Sequence, residues 1–409
     1  MKKTLFSKNG RRIFIVAGVR PDIIANLMAL YSRNYKRTSV GSHLLEMGHT
    51  VEHVTVYGDA DLYIVNPDIF KSDSLDTEFI NKWAIGYSHE SIMDCGNIYL
   101  FVENCTILEA KFLQHHPLYN GIELSTRYVE FDTSMTINNE YPDMVAEYLD
   151  VYDEVYSKAK EKYKDYPDKS VKAYSFDIAR GFLPLSTLTS VGMSVTIKVI
   201  REILSHAFVT DLSAAPQLQK LANSITHLLG KAMPDVEWGR DLEKINDKER
   251  GIFTTGHLAT HFRHLYIPDF RKPGPVKSVP EDIKLNTAFL SIYGILDYGS
   301  WRDLARHRTL HNLPFVYPDY GVEAHPWYSE MSGRDIRPAH NHVWKRRLAH
   351  LVPVEADVFT DKWAYIKNLR SGPAVHPTLR HFMGIDISDV KPYKPRAQHD
   401  IVEKTKVEY

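Results

Sequence analysis

Two cysteines, Cys95 and Cys105, are all that the 409 residues contain. That scarcity excludes a disulfide framework and a four-cysteine zinc module. It leaves one disulfide or, in a cytosolic protein, two reduced thiols. A bias toward one sign of charge is also missing, since 50 Lys+Arg stand against 51 Asp+Glu for a net charge of −1. A broadly basic nucleic-acid binder is therefore not supported, and any phosphate must be held by local patches. No G-x-G-x-x-G, P-loop or serine elbow occurs, so dinucleotide-binding Rossmann, NTPase and Ser-His-Asp chemistries lack their signatures. Long apolar runs are absent too. The run at 13–18 is short and sits behind Arg11-Arg12, and the stretch 181–197 is diluted by Pro184 and many hydroxyls. Neither reads as a signal peptide or a membrane span. A cytoplasmic protein without membrane contact is the expectation.

What is present is core-building material. The hydrophobic fraction is 44%, with 24 Tyr, 17 Phe and 6 Trp, enough to exclude bulk disorder. The length suggests two domains or one doubled unit. The periodicity predicts a first strand at 13–18, a helix from Pro21, a strand over 52–56 and a helix around 77–87. A β-rich run at 98–102 then leads into a helix through Ile107 and Leu113 that stops at His115-His116-Pro117. A charged helix is expected over 142–164, followed by two apolar helices at roughly 184–208 and 215–229. Pro234 to Gly251 reads as the joint between halves, and Pro268 to Pro280 as a loop.

The second half repeats this order. Phe289 to Tyr293 is β-rich, and a helix through Trp301 and Leu304 ends in Arg306-His307-Arg308. Sliding the first half by 192 residues sets Gln114-His115-His116 on Arg306-His307-Arg308 and Asn120 on Asn312. Identity is slight, and two unrelated amphipathic helices would give the same picture.

Arg306-His307-Arg308 supplies many fixed donors, which suits a phosphate or an electron-rich isoalloxazine ring. A solvated helix end fits the same residues. Ser125 and Arg127, two apart on an extended segment, point the same way and can grip one phosphate; a polar strand end is the alternative. Ser91 and Asp94 have capping-box spacing, which accounts for His89-Glu90-Ser91 without further function. His257, His261 and His264 share one helix face, but no carboxylate or cysteine completes a metal site, so none is expected.

Taken in order, these clusters resemble the flavin-dependent thymidylate synthases. The resemblance rests on His89-Glu90-Ser91, on Gln114-His115-His116, on Glu123-Leu124-Ser125-Thr126-Arg127-Tyr128 and on Ala179-Arg180-Gly181-Phe182-Leu183-Pro184. In the second half it rests on Leu304 to Arg308 and on Asn368-Leu369-Arg370. Each half resembles one protomer, together over about 85–409, so the chain looks like a tandem, divergent synthase. The copies have diverged differently. In the first, the family's Arg-His-Arg has become Gln114-His115-His116, one residue is inserted before Ser125, and Asp94 replaces Glu. In the second, Pro314 to Tyr320 replaces Ser-x-Arg-Tyr and no counterpart of His89 is found.

The resemblance implies an α+β fold of two repeats, 1–232 and 233–409, each a small sheet packed by long helices, assembling as a homodimer. It implies FAD as cofactor, with NADPH and methylenetetrahydrofolate as co-substrates, and reductive methylation at C5 of dUMP. Other outcomes are a flavin enzyme acting on another pyrimidine, or a silent nucleotide-binding or scaffold protein. The implied site is composite. His89, Ser91, Arg306, His307 and Arg308 border the flavin; Ser125, Arg127, Arg180 and Arg370 hold the nucleotide; Arg370 and Arg306 are the catalytic candidates. No protein nucleophile is needed, which agrees with the lack of a suitable cysteine.

Overall fold

The protein is described by a computed structural model that covers residues 10–31, 38–71, 90–116, 118–126, 129, 131–136, 141–209, 216–234, 236, 238, 287–304, 310–312, 324, 326–336 and 347–361. It is a mixed α+β structure of two compact units. The first comprises Met1–Glu130, Ser134–Glu140 and Ser186–Phe253. The second comprises Phe131–Thr133, Tyr141–Leu185 and Thr254–Tyr409.

The first unit is built on a six-stranded sheet in the order β2-β3-β1-β4-β6-β5. β1 (Arg11–Val16) is buried along its whole length. It runs parallel to β3 (Ala60–Val65) and antiparallel to β4 (Asn97–Thr106). Burial on both faces explains why residues 13–16 of β1 are all apolar. Phe14 and Val16 pack with Ile24, Leu27, Met28 and Tyr31 of α1 (Pro21–Tyr31) and with Val40 and Leu44 of α2 (Val40–Glu46). Helix α8 (Pro216–Ala232) packs over β1 and β3. The sheet ends in β2 (Val51–Tyr57), which carries a register shift between His53 and Thr55, and on the other side in β5 (Asn120–Glu123). The short helix α3 (Pro67–Lys71) follows β3.

Two arginines enter this apolar strand because each has a buried carboxylate. Arg11 Nη2 donates to both oxygens of Glu109, at 2.7 and 2.8 Å. Arg12 Nε donates to Glu103 at 2.6 Å. Glu103 also accepts from the Tyr31 hydroxyl, the Ser39 hydroxyl and the Val40 backbone N–H. This single carboxylate therefore ties α1, α2, β1 and β4 together, and its lone pairs are satisfied as burial requires.

One expectation fails here. The stretch 184–208 is not one helix. It is a turn, then β6 (Leu188–Thr196), then α7 (Ile197–Val209). Leu188-Thr189-Ser190-Val191-Gly192-Met193-Ser194-Val195-Thr196 alternates large and small side chains with β-branched residues, a period of two that favours a strand. β6 is an interior strand, with β4 on one side and β5 on the other, and its apolar residues are buried.

The second unit contains the helices α5 (Pro142–Lys162) and α6 (Asp168–Ala179) and a three-stranded sheet ordered β7-β9-β8. Its strands are β7 (Thr287–Asp297), β8 (Leu310–Asn312) and β9 (Leu351–Asp361). The short helices α9 (Tyr298–Leu304) and α10 (Pro326–Ser332) complete it. Arg334 binds Glu154 and Asp150, and Arg347 donates to Glu147 at 2.6 Å, so an acidic stripe on α5 receives two arginines from the distal part of the chain. The helical pattern around 77–87, the histidines 257, 261 and 264, and the loop 268–280 lie outside the described residues.

Candidate functional site

In the first unit the site is launched from the end of β4. Thr106 caps α4 (Ile107–Leu113) through a full capping box with Glu109, the same carboxylate that Arg11 grips. The helix start is thus fixed by side chains as well as by the strand. Its last turn carries Lys111, Gln114, His115 and His116 to the edge of β5.

Each of these polar groups meets a partner from the chain itself. Buried Lys111 pairs with Glu123 at 2.8 Å. Gln114 accepts from Lys111 and donates to Glu123 at 3.3 Å. His115 Nδ1 contacts the Phe112 carbonyl. His116 is held at both nitrogens: the Leu118 backbone N–H, which can only donate, reaches Nδ1 at 3.1 Å, and Nε2 lies 2.8 Å from Glu202. Nδ1 therefore accepts, and the ring proton on Nε2 donates to the carboxylate. The i, i+3 spacing of Lys111 and Gln114 is a local signal for their pairing, whereas Glu123 lies on the next strand. Glu202 lies 86 residues away from His116, and no local pattern could have paired them.

Ser125 follows β5 directly and is half-buried. Its segment is pinned to β6 at two points: Leu124 N–H donates to Ser190 O at 3.0 Å, and Leu188 N–H donates to Met135 O at 2.7 Å. Ser91 lies in a 3₁₀ turn, Glu90–Cys95. The capping role expected of Asp94 is taken up otherwise, since its carboxylate accepts from the Thr196 hydroxyl and lies 3.6 Å from Lys198. His89, Arg127, Arg306, His307, Arg308 and Arg370 lie outside the described residues. Beside this segment, Leu124, Leu188, Thr189 and Ser190 border a cavity of about 20 Å³ that also touches Arg12 and Glu103, room for one water-sized group.

Arg180 belongs to the second unit. It ends α6, is buried, and its Nε lies 3.6 Å from Asp177. The next residue, Gly181, leaves no room for a side chain, because a Cβ there would come within 2.3 Å of the Tyr328 ring. Tyr328 in turn donates to Asp297 at 2.9 Å. Burial first, and the neighbouring Asp297 second, hold the Tyr328 hydroxyl well above its ordinary pKa, while Arg180 opposes them. The Gly181 and Leu183 carbonyls accept from Ala349 and Leu348 N–H. Asp297, Tyr328 and the turn at 347–350 were not picked out from the sequence. Asp177, i−3 to Arg180 on a helix, could have been.

No group of three metal-ligating side chains occurs among the described residues, and no described helix is long and apolar enough to cross a membrane. As a place for a flavin, the helix end at 114–116 fits poorly. Its side chains already have partners within the chain.

The family described as thymidylate synthase complementing protein matches residues 36–235. No curated protein matches the chain. Two solved structures are among its matches. Thymidylate synthase X from Helicobacter pylori, with FAD and dUMP, is 15% identical over 42% of this chain and 86% of its own, with a TM-score of 0.29. A UMP/dUMP methylase from Streptomyces cacaoi, bound with 5-Br dUMP, is 18% identical over 46% of this chain and 92% of its own, with a TM-score of 0.26.

Proposed function

Because residues 36–235 match the family described as thymidylate synthase complementing protein, we propose that the chain is a FAD-dependent enzyme acting at C5 of a pyrimidine nucleotide. Reductive methylation of dUMP to dTMP, with methylenetetrahydrofolate as carbon donor and NADPH as reductant, is the leading reaction. The observation that carries this reading is that the matched segment includes β4, α4, β5 and β6, the elements that set Ser125 beside the sheet.

We read the chain as two repeats, 1–232 and 233–409. Support comes from topology. In each sheet a long strand leads into a short helix and then a short strand, and both strands flank a later one, giving β4-β6-β5 and β7-β9-β8. The helix starts are tied alike, Ile107 N–H to Thr187 O and Tyr298 N–H to His350 O. The lone bridges Thr136–Thr187 and Ala324–His350 correspond as well.

When bound and reduced by NADPH, FAD would supply the hydride. The chain's own residues bind and polarise. Ser125, Arg127 and Arg180 hold the nucleotide, chiefly its phosphate, by charge-assisted hydrogen bonds. Arg370 sets a fixed positive charge against the pyrimidine, where it stabilises developing negative charge. Arg306, His307 and Arg308, with His89 and Ser91, border the flavin, and Arg306 shares the catalytic role. A homodimer in the cytoplasm, without membrane or nucleic-acid partners, completes the reading.

A second reading, a silent nucleotide-binding or scaffold protein, is favoured by one observation: Gln114, His115 and His116 all have partners within the chain. Purified protein distinguishes the two. The enzyme takes up FAD and turns yellow; the scaffold stays colourless with FAD in excess. A yellow protein that releases no tritium from C5-labelled dUMP, yet turns over another pyrimidine, is the divergent enzyme.

A further inference from the structure

The two repeats, read as above, touch through residues that correspond. Thr187 and His350 hold equivalent places, since each carbonyl accepts from the first residue of a short helix and each forms the lone bridge before its strand. Three residues earlier stand Pro184 and Arg347, and these two form an antiparallel bridge with each other. Leu348 N–H donates to Leu183 O at 3.0 Å, and Ala349 N–H to Gly181 O at 2.9 Å. A segment that meets its own counterpart antiparallel lies on a local twofold, the mark of an isologous contact. Where the first copy has an inert proline, the second places a guanidinium.

That guanidinium is built in. Arg347 is 6% exposed. Its Nη2 donates to Glu147 at 2.6 Å, and its plane centre lies 5.8 Å from the Phe182 ring. Its Nη1 is buried and finds no hydrogen-bond partner among the described residues. A buried charged donor left unmatched is costly, so such an atom calls for an acceptor. Phe182 and Arg180 share one 3₁₀ turn, Arg180–Phe182. Two guanidiniums thus flank one turn, each with a carboxylate at its back: Asp177 for Arg180 and Glu147 for Arg347. The carboxylates largely cancel the charge, so what the arginines offer is direction rather than field.

We propose that Arg347 is a further substrate-binding residue, whose Nη1 donates to a phosphate oxygen of the nucleotide beside Arg180. This deepens the proposed function and rests on Arg180 as a nucleotide ligand. It adds a residue of the second repeat to the nucleotide subsite, in addition to Arg370.

The test uses the full chain with Arg347→Lys, which keeps the ion pair with Glu147 but loses the fork, and Arg334→Gln as a control at the other arginine that pairs with α5. Binding of dUMP and of deoxyuridine is measured by calorimetry. Arg347→Lys should weaken dUMP about tenfold, the size of one charge-assisted contact, and leave deoxyuridine unchanged, while Arg334→Gln alters neither. Unchanged dUMP affinity, or an equal loss for both ligands, overturns the proposal while the proposed function stands. If the wild-type protein binds no dUMP, the proposed function falls, and inorganic phosphate then decides. Thermal stabilisation by phosphate in the wild type but not in Arg347→Lys supports an anion site at Arg347. Equal or absent stabilisation overturns it.

Discussion

His116 and Glu202 face each other at 2.8 Å, with the imidazole Nδ1 occupied by the Leu118 backbone N–H. A ring fixed at both nitrogens serves to tie α4 to α7, and a flavin cannot recruit it without breaking one of these bonds. His116→Ala should therefore leave FAD affinity within about twofold while lowering stability by about 1–2 kcal/mol, the usual cost of a lost partly buried hydrogen bond. A flavin absorbance titration paired with urea unfolding checks both halves. A tenfold loss of FAD affinity with unchanged stability would put His116 in the cofactor site.

Arg11 and Glu109 are both buried and paired by two hydrogen bonds. Glu109→Gln strands the arginine and also weakens the cap of α4. Breaking a buried pair from one side costs roughly 3–5 kcal/mol, so this variant should show a large drop in urea midpoint at constant slope. Replacing both residues by apolar ones, Arg11→Met with Glu109→Leu, should recover much of that loss. If the double variant is no more stable than the single, the charge argument is wrong.

Much of this was readable beforehand, and the reasons differ by element. β1, α1, β4, α4 and α5 follow from periodicity and from the prolines at 21, 117 and 142. β6 was missed because its apolar residues also suit a buried helix, although its period of two and Gly192 favour the strand that pairs with β4 and β5. Ser125 and Arg180 are expectations from motifs. Around the turn that carries Arg180, Asp297, Tyr328 and Arg347 come from more than a hundred residues away, so nothing local announces them.

Gly181 and Tyr328 make a strict steric prediction. A methyl at 181 would sit 2.3 Å from the ring, and the ring is held by its bond to Asp297. Gly181→Ala should destabilise the protein by about 1–3 kcal/mol through overpacking. Combining it with Tyr328→Leu should relieve the strain. Thermal melts of the two singles and the double give the coupling directly; additive losses would contradict the contact.

Two buried phenols set an alkaline limit. Burial, and then Glu103 for Tyr31 and Asp297 for Tyr328, raise both hydroxyls well above the ordinary value of 10.0. Above that pH the unfolded chain gives up these protons while the folded chain keeps them. Their contribution is therefore full below pH 10 and fades as pH rises past it. Stability should fall from about pH 10 upward, and Tyr328→Phe should flatten that fall. A stability curve flat to pH 11, or an identical slope in the variant, would contradict the burial of these groups.

The central claim is that the chain is a flavin enzyme working at C5 of a pyrimidine nucleotide. Tritium release from C5-labelled dUMP, with FAD, NADPH and methylenetetrahydrofolate supplied to the purified full-length protein, addresses it most directly. The account predicts tritium in water, dependent on all three additions and lost in Arg370→Ala. A protein that takes up no FAD and releases no tritium above the enzyme-free background would contradict it.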